Sequence, residues 1–252
     1  MFDVSNFYKK VGVLDKGFIE LIDGPKEDPR TKIVNAARVS FNKEVKNLSP
    51  KDIKLVKFMN EHGHYSVFRH SHFSFRWKAP LFVFRQAWKY QIDSGWEEDS
   101  TVGDAPNGGG VIVPSTNWNE ASGRYIKFEP EFYIPETIRV QSTDNKQGSH
   151  GALKELSNGE DPVKFFEDTC IKQYNAYKYM VDSGAAKEQC RAILPQGIYT
   201  QCIWTASLQT LMFFLHQRLK PDAQFEIRQY ALAVRDLIAP IFSPLELFDE
   251  AV

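Results

Sequence analysis

The sequence has little that would take it out of the cell or into a membrane. Three cysteines, Cys170, Cys190 and Cys202, are too few and too scattered for a disulfide framework, and no CxxC pair occurs. The set fits a reducing compartment, with each thiol expected as a small buried residue. No apolar run approaches the roughly 20 residues that span a bilayer. The first residues, MFDVSNFYKKVGVLDKG, have neither the apolar core nor the small-residue cleavage site of a signal peptide, so a cytoplasmic protein is expected. Charge of one sign is also missing: 31 basic residues stand against 32 acidic ones, so no global field draws the chain to nucleic acid or to an anionic membrane. Any anion site must be local.

Several reactive motifs are absent as well. There is no GxSxG elbow, no GxxxxGK phosphate loop and no GxGxxG after a strand, which argues against serine hydrolysis, nucleotide triphosphate hydrolysis and a Rossmann site. Two histidine pairs, His62/His64 and His70/His72, have spacings that metal sites use, but no Asp, Glu or Cys sits where it would complete a ligand shell. No metal is expected.

What is present reads as one α+β domain over residues 1–252, with a central, largely antiparallel sheet flanked by helices and a helical C-terminal half. Val11 to Ile22 has strand character and Lys32 to Val39 a short helix. Ser49-Pro50 opens a helix that Gly63 ends. Phe73, Phe75 and Trp77 alternate, predicting a half-buried strand over 70–77, and Ala79-Pro80 begins a helix reaching about Gln91. Residues 93–117, with the acidic run Glu97-Glu98-Asp99 and the glycines 108–110, read as an inserted loop; 141–160 reads as a second. Tyr125 to Ile134 is strand-like. Asp161-Pro162 caps a long helix ending near Gly184, a shorter helix leads into Arg191, and two more are expected over Trp204–Leu219 and Pro221–Ile238. Ser243-Pro244-Leu245-Glu246 has the pattern of a capping box for a last short turn.

The remaining chemistry is a scatter of cations and polar groups suited to a small anion and a flat ring: Arg85-Gln86, Lys89, Ser122-Gly123-Arg124, Arg191 and Arg218. Guanidinium forks hold phosphate bidentately, and a glycine lets backbone N–H groups come close to a ligand. Spacing alone leaves open whether each arginine is a ligand or a solvated surface charge.

Ala36-Ala37-Arg38-Val39-Ser40-Phe41, His62-Gly63-His64, Lys78-Ala79-Pro80-Leu81-Phe82-Val83, Arg85-Gln86, Asn119-Glu120-Ala121-Ser122-Gly123-Arg124-Tyr125, Ile193-Leu194-Pro195 and Ala223-Gln224-Phe225-Glu226-Ile227 follow one another in this chain. In this order they resemble the segments of flavin-dependent thymidylate synthases, and the Asn119–Tyr125 element is the most specific. The resemblance implies a homotetramer with shared active sites that methylates dUMP without a cysteine nucleophile. Methylenetetrahydrofolate would be the one-carbon donor, FAD the hydride carrier and NADPH the reductant. By position, Gln86, Lys89, Glu120, Ala121, Ser122, Gly123, Arg124, Arg191 and Arg218 would meet dUMP, with Arg218 beside the base as the catalytic cation. Ser40, Ser66, Lys89, Tyr90, Gln91, Glu120, Ser207 and Gln209 would meet the flavin. The chain departs from the family pattern mainly on the flavin side, where Lys89-Tyr90-Gln91 replaces Arg-His-Arg and Arg69 stands where many members have Glu. A lysine keeps the charge but not the bidentate fork. These departures leave two other outcomes on the same scaffold, a dUMP hydroxymethylase and a non-catalytic dUMP-binding oligomer.

Overall fold

The aromatic alternation of residues 73–77 runs through the centre of the molecule. The computed structural model describes residues 4–89, 118–146 and 148–248, and between them the backbone of 101–104 and 110–112. Its strands are β1 (Lys10–Val13), β2 (Gly17–Asp23), β3 (His72–Pro80), β4 (Thr101–Asp104), β5 (Gly110–Ile112), β6 (Trp118–Glu120), β7 (Val140–Gln141), β8 (Ser149–His150) and β9 (Tyr199–Ser207). Its helices are α1 (Pro29–Arg38), α2 (Pro50–Glu61), α3 (Leu81–Ala87), α4 (Pro162–Asp182), α5 (Lys187–Cys190), α6 (Leu208–Arg218) and α7 (Phe225–Phe242). Short 3-10 turns cover Val39–Phe41, Tyr65–Phe68 and Arg191–Ile193. The main sheet has the order β1-β2-β3-β9-β6, with every neighbouring pair antiparallel.

Side chains alternate across a strand, so β3 buries Phe73, Phe75 and Trp77 while β9 buries Cys202, Trp204 and Ala206 on the same face. Onto that face α7 lays Ile227, Tyr230, Ala231, Val234, Ile238 and Ile241, a stripe at helical spacing. Trp77 stacks on Tyr230 at 5.6 Å and meets Trp204 edge-on at 5.4 Å. Gly17 permits this approach: a Cβ there would lie 1.9 Å from the Tyr230 hydroxyl and 2.7 Å from the Lys78 carbonyl oxygen, to which that hydroxyl donates. Local caps agree with the sequence. Ser49 N–H donates to Asp52 Oδ2 at 2.8 Å at the start of α2, and Asp161 Oδ1 accepts from Lys164 N–H at 2.8 Å at the start of α4. No helix among the described residues is long and apolar enough to cross a membrane.

Several expected elements differ. Val11–Ile22 is a hairpin, because Leu14 takes a left-handed conformation and turns the chain between β1 and β2. Tyr125–Ile134 is not a continuous strand: it begins in a turn at Ser122–Tyr125, and only around the Phe132–Ile198 bridge does it meet the end of β9, where Tyr199 N–H donates to Glu131 O at 2.8 Å and Tyr133 N–H to Gly197 O at 2.9 Å. Residues 199–207, whose second half was expected to start a helix, form the strand between β3 and β6, and the helix begins only at Leu208. The last helix starts at Phe225 and continues through Pro240 to Phe242. Within the expected loop 93–117, β4 and β5 pair with each other, and β7 pairs with β8 in the second. The acidic run 97–99 and glycines 108 and 109 lie outside the described residues. No capping box forms at Ser243, which precedes a cis proline; Glu246 instead has a positive φ and ion-pairs with Lys57.

Candidate active site

The most specific motif starts on the sheet edge. Trp118 pairs with Trp204 in the β6–β9 ladder, and their rings stack at 4.8 Å and 13°. That stack anchors a strand of only three residues, and Ala121 N–H extends its pairing to Gln201 O at 2.9 Å. The chain then turns, with Tyr125 and Ile126 N–H both donating to Ser122 O at 3.0 and 3.2 Å. Ser122 Oγ accepts from Arg124 N–H at 3.4 Å and Nε at 3.3 Å, and the Arg124 guanidinium lies 5.2 Å from the exposed Tyr125 ring. Gly123 is buried in this turn. A Cβ there would stand 2.4 Å from Phe128 Cε2 and 3.3 Å from Arg191 Cδ, so the glycine is what lets Arg191 lie against the motif.

Glu120 closes this group. The residue as a whole is exposed, yet its carboxyl is crowded by protein and loses water, which raises its pKa; nearby Thr200, Arg191 and Arg85 offset part of that. Thr200 is close enough to matter, although its buried Oγ1 completes no hydrogen bond. Arg85 comes from α3 and Arg191 from the turn after α5, so three distant segments converge on one carboxylate.

A second group lies along the same helix α3. Gln86 Nε2 donates to Gln224 Oε1 at 2.6 Å, and Arg218 Nη2, at the end of α6, donates to the Gln86 carbonyl at 3.1 Å. Gln224 Nε2 donates in turn to Glu226 Oε2 at 2.8 Å. Glu226 is 3% exposed, and it also accepts from Arg139 Nη2 at 3.0 and 3.3 Å and from the Tyr133 hydroxyl at 3.1 Å. Burial, and then the negative charge of Glu226, push the Tyr133 pKa up, so the phenol stays a donor.

Of the residues expected on the flavin side, Ser66, Ser207 and Gln209 lie at the other end of β3, whereas Glu120 and Lys89 stay with the first group. Arg69 Nε donates to Gln209 Oε1 at 2.7 Å, which joins the first turn of α6 to the segment after the Tyr65–Phe68 turn that carries Ser66. That turn packs against both α1 and α6. Ser40 is exposed in the turn after α1, a turn framed by the ion pair of Arg38 with buried Asp52. Ser207 differs from these. It is fully buried, and its Oγ caps α6 by accepting from Thr210 N–H at 3.2 Å. Lys89 is exposed just past α3, while Tyr90 and Gln91 lie outside the described residues. At the end of α2, Phe58 stacks on His62 at 4.0 Å, and among the described residues no group of His, Cys, Asp and Glu could hold a metal ion. A groove of about 660 Å³ between α4 and residues 192–196 is lined by Phe165, Phe166, Ile193, Leu194 and neighbours without a charged side chain, and none of the expected site residues lines it.

The family model described as thymidylate synthase complementing protein matches residues 20–242. The flavin-dependent thymidylate synthase of Kosmotoga olearia is 38% identical over 225 residues, spanning 89% of this chain and 86% of that one. This chain belongs to the flavin-dependent thymidylate synthase family. The family member from Thermus thermophilus is 36% identical over 228 residues, 90% of this chain and 73% of that one. A crystal structure of a UMP/dUMP methylase, PolB, from Streptomyces cacaoi bound with 5-Br dUMP superposes with a TM-score of 0.72 at 23% identity, covering 95% and 97% of the two chains, which shows a shared fold.

For this family member the structure joins Gln86 to Arg218 by a hydrogen bond and brings Arg191 against the Gly123 turn, where its charge acts on Glu120. It also supplies partners that no local pattern marks. Gln224 and Glu226 lie in a segment that resembles the family but carry no motif chemistry of their own. Arg139 sits in a polar stretch with no periodic signal at all.

Proposed function

We propose that this chain catalyses the reductive methylation of dUMP to dTMP. Methylenetetrahydrofolate would give the one-carbon unit and reduced FAD the hydride, with NADPH restoring the flavin and no cysteine nucleophile taking part. The observation that carries this reading is the convergence on α3 of Gln86 with Arg218 and of Arg85 with Glu120 and Arg191. In the proposed roles, Ser122, Gly123, Arg124 and Arg191 hold the phosphate through charge-assisted bonds, with Ala121 and Lys89 at its margin, and Glu120 accepts from the sugar. Arg218 lies beside the base, where a fixed cation lowers the cost of negative charge developing on the ring. The three cysteines are buried, and burial raises the Cys202 and Cys170 pKa values, which disfavours a thiolate at either.

The residues present fit a flavin nucleotide. Arg69, Gln209 and Ser66 offer a guanidinium, an amide and a hydroxyl at one edge, and the Phe58–His62 stack offers flat ring faces. Ser40, Lys89, Tyr90, Gln91 and Glu120 would complete the set, with Ser207 contributing indirectly by fixing the first turn of α6 under Gln209. We infer a homotetramer as well, in which neighbouring chains share sites. The Tyr125 and Tyr179 rings, 72% and 76% exposed, are the surface that such an assembly would cover.

The purified protein is expected to be yellow and to release the C5 hydrogen of dUMP, giving a product with the mass of dTMP. A colourless protein that cannot be reconstituted with flavin would sink the cofactor assignment. A product heavier by one oxygen would replace methylation with hydroxymethylation.

Two further outcomes test the nucleotide residues. Gly123→Ala should raise the dUMP dissociation constant about tenfold, ~1.4 kcal/mol, because the new methyl pushes Phe128 or Arg191 out of place. Isothermal titration checks this, and wild-type affinity would remove Gly123 from the site. Glu120 makes a statement about pH. Its pKa is raised, so its ionised form is complete only above the shifted value and is lost as pH falls through it. kcat/KM should therefore decline with falling pH from a point above that of an ordinary glutamate, and Glu120→Gln should flatten that limb. For stability the sign is opposite, since a raised carboxyl pKa weakens the fold as pH rises through it.

A further inference from the structure

We propose that Glu226 is a positioning residue that sets the hydrogen-bond polarity of Gln86 at the nucleotide site, through Gln224. The inference rests on the dUMP reading above. An ionised carboxylate can only accept, so whichever group faces it must donate. Gln224 therefore turns its amide nitrogen to Glu226 Oε2, at 2.8 Å, and its carbonyl oxygen the other way. Gln86 meets that oxygen and must turn its own nitrogen inward, at 2.6 Å. The carbonyl oxygen of Gln86 is thereby left as the end directed at the ligand. Without a charged acceptor at the root of this line, either glutamine could rotate by half a turn and present N–H instead, at little cost, because an amide's two ends are nearly the same shape.

The root is built to stay fixed. Glu226 lies in the first turn of α7, where the helix end favours a negative charge. Its carboxylate is buried and held by the Arg139 guanidinium and the Tyr133 hydroxyl. Arg139 is itself tied to Ser149 Oγ at 2.9 Å. Arg218 is coupled to the same line through the Gln86 backbone carbonyl. A ligand that offers an N–H or O–H to Gln86 gains from this polarity, and one that offers only an acceptor there is disfavoured.

The test uses the full-length holoenzyme and dUMP itself. Gln224→Ala removes the link at an exposed position, and Glu226→Gln keeps the shape while removing the charge. Each should raise the dUMP dissociation constant and KM about tenfold while kcat stays within about twofold, the signature of lost ligand positioning. Gln224→Ala should also leave the thermal midpoint unchanged. Combined with Gln86→Ala, it should add almost nothing to the effect of that change alone, because both act on one contact. Should Glu226→Gln fail to fold, the Gln224→Ala cycle decides by itself. Wild-type dUMP affinity in Gln224→Ala, or an additive double variant, overturns the proposal while leaving the dUMP site intact. A wild-type protein that does not bind dUMP overturns both.

Discussion

Replacing Arg218 by alanine should lower kcat/KM by about 100-fold or more, ~3 kcal/mol of transition-state stabilisation, while the protein stays folded. Arg218 is in the last turn of α6, where a cation complements the helix end, and its Nη2 donates to the Gln86 carbonyl. Losing a terminal charge and one such bond should cost stability only about 1–2 kcal/mol. In the proposed role its value to the reaction is larger. A charge held beside the base in a site from which water is excluded stabilises negative charge far more than it would in water. Arg218→Lys separates the two roles: the point charge returns but the planar fork does not, so activity should recover only in part. Steady-state kinetics of the two variants, with circular dichroism as the folding check, decide this. Near-normal turnover in Arg218→Ala would remove the base-side role.

The largest effect on stability is expected from Trp204→Ala, about 3–5 kcal/mol. Trp204 is fully buried, stacks on Trp118, and packs edge-on against Trp77 at 5.4 Å and Phe214 at 5.5 Å. Removing it opens a cavity that rings from β3, β6 and α6 can close only in part. For a chain of this size that corresponds to a fall of roughly 6–20 °C in Tm. The loss should reach the site as well, since Trp118 is the residue by which the three-residue β6 holds Glu120 and the Ser122 turn in place. Trp204→Phe should cost much less than the alanine variant. The buried Trp204 indole N–H has no hydrogen-bond partner, so a benzene ring forfeits area but no bond. Differential scanning calorimetry of both variants, with dUMP titration of whichever folds, tests the link. A Trp204→Ala protein with unchanged Tm and unchanged dUMP affinity would break it.

The outcome at Trp204 also shows where local pattern stops being informative. Residues 199–207 carry a period-two pattern, Cys202, Trp204 and Ala206 inward against Gln201, Ile203 and Thr205, that runs directly into the helical pattern from Leu208. A window spanning both reads as one helix, because only the Ser207 cap marks the junction. In the same way, the aromatic residues of 125–134 resemble a strand, yet Ser122 has already turned the chain off the sheet and Pro130 can donate no ladder bond. Phe73, Phe75 and Trp77 had no such competitor, and their strand was legible at once. The caps at Ser49 and Asp161 were also legible, since a cap is a contact within one turn.

By itself the sequence determined the buried strand β3, the long helix α4, the family to which the chain belongs and the segment 119–125 that most specifically carries the family resemblance. All of these are carried by neighbours in the chain or by the order of short segments. Only the tertiary structure decided that Gln86 leans on Gln224, 138 positions away, that Arg218 reaches Gln86 across 132, and that Arg139 reaches Glu226 across 87. Such bonds depend on where the antiparallel sheet and α7 bring distant segments together, and a side chain's own neighbours contain no trace of that. The same reason took Ser207 out of solvent: its polarity suits a ligand, but its place at the end of β9 buries it and commits its oxygen to the helix that follows.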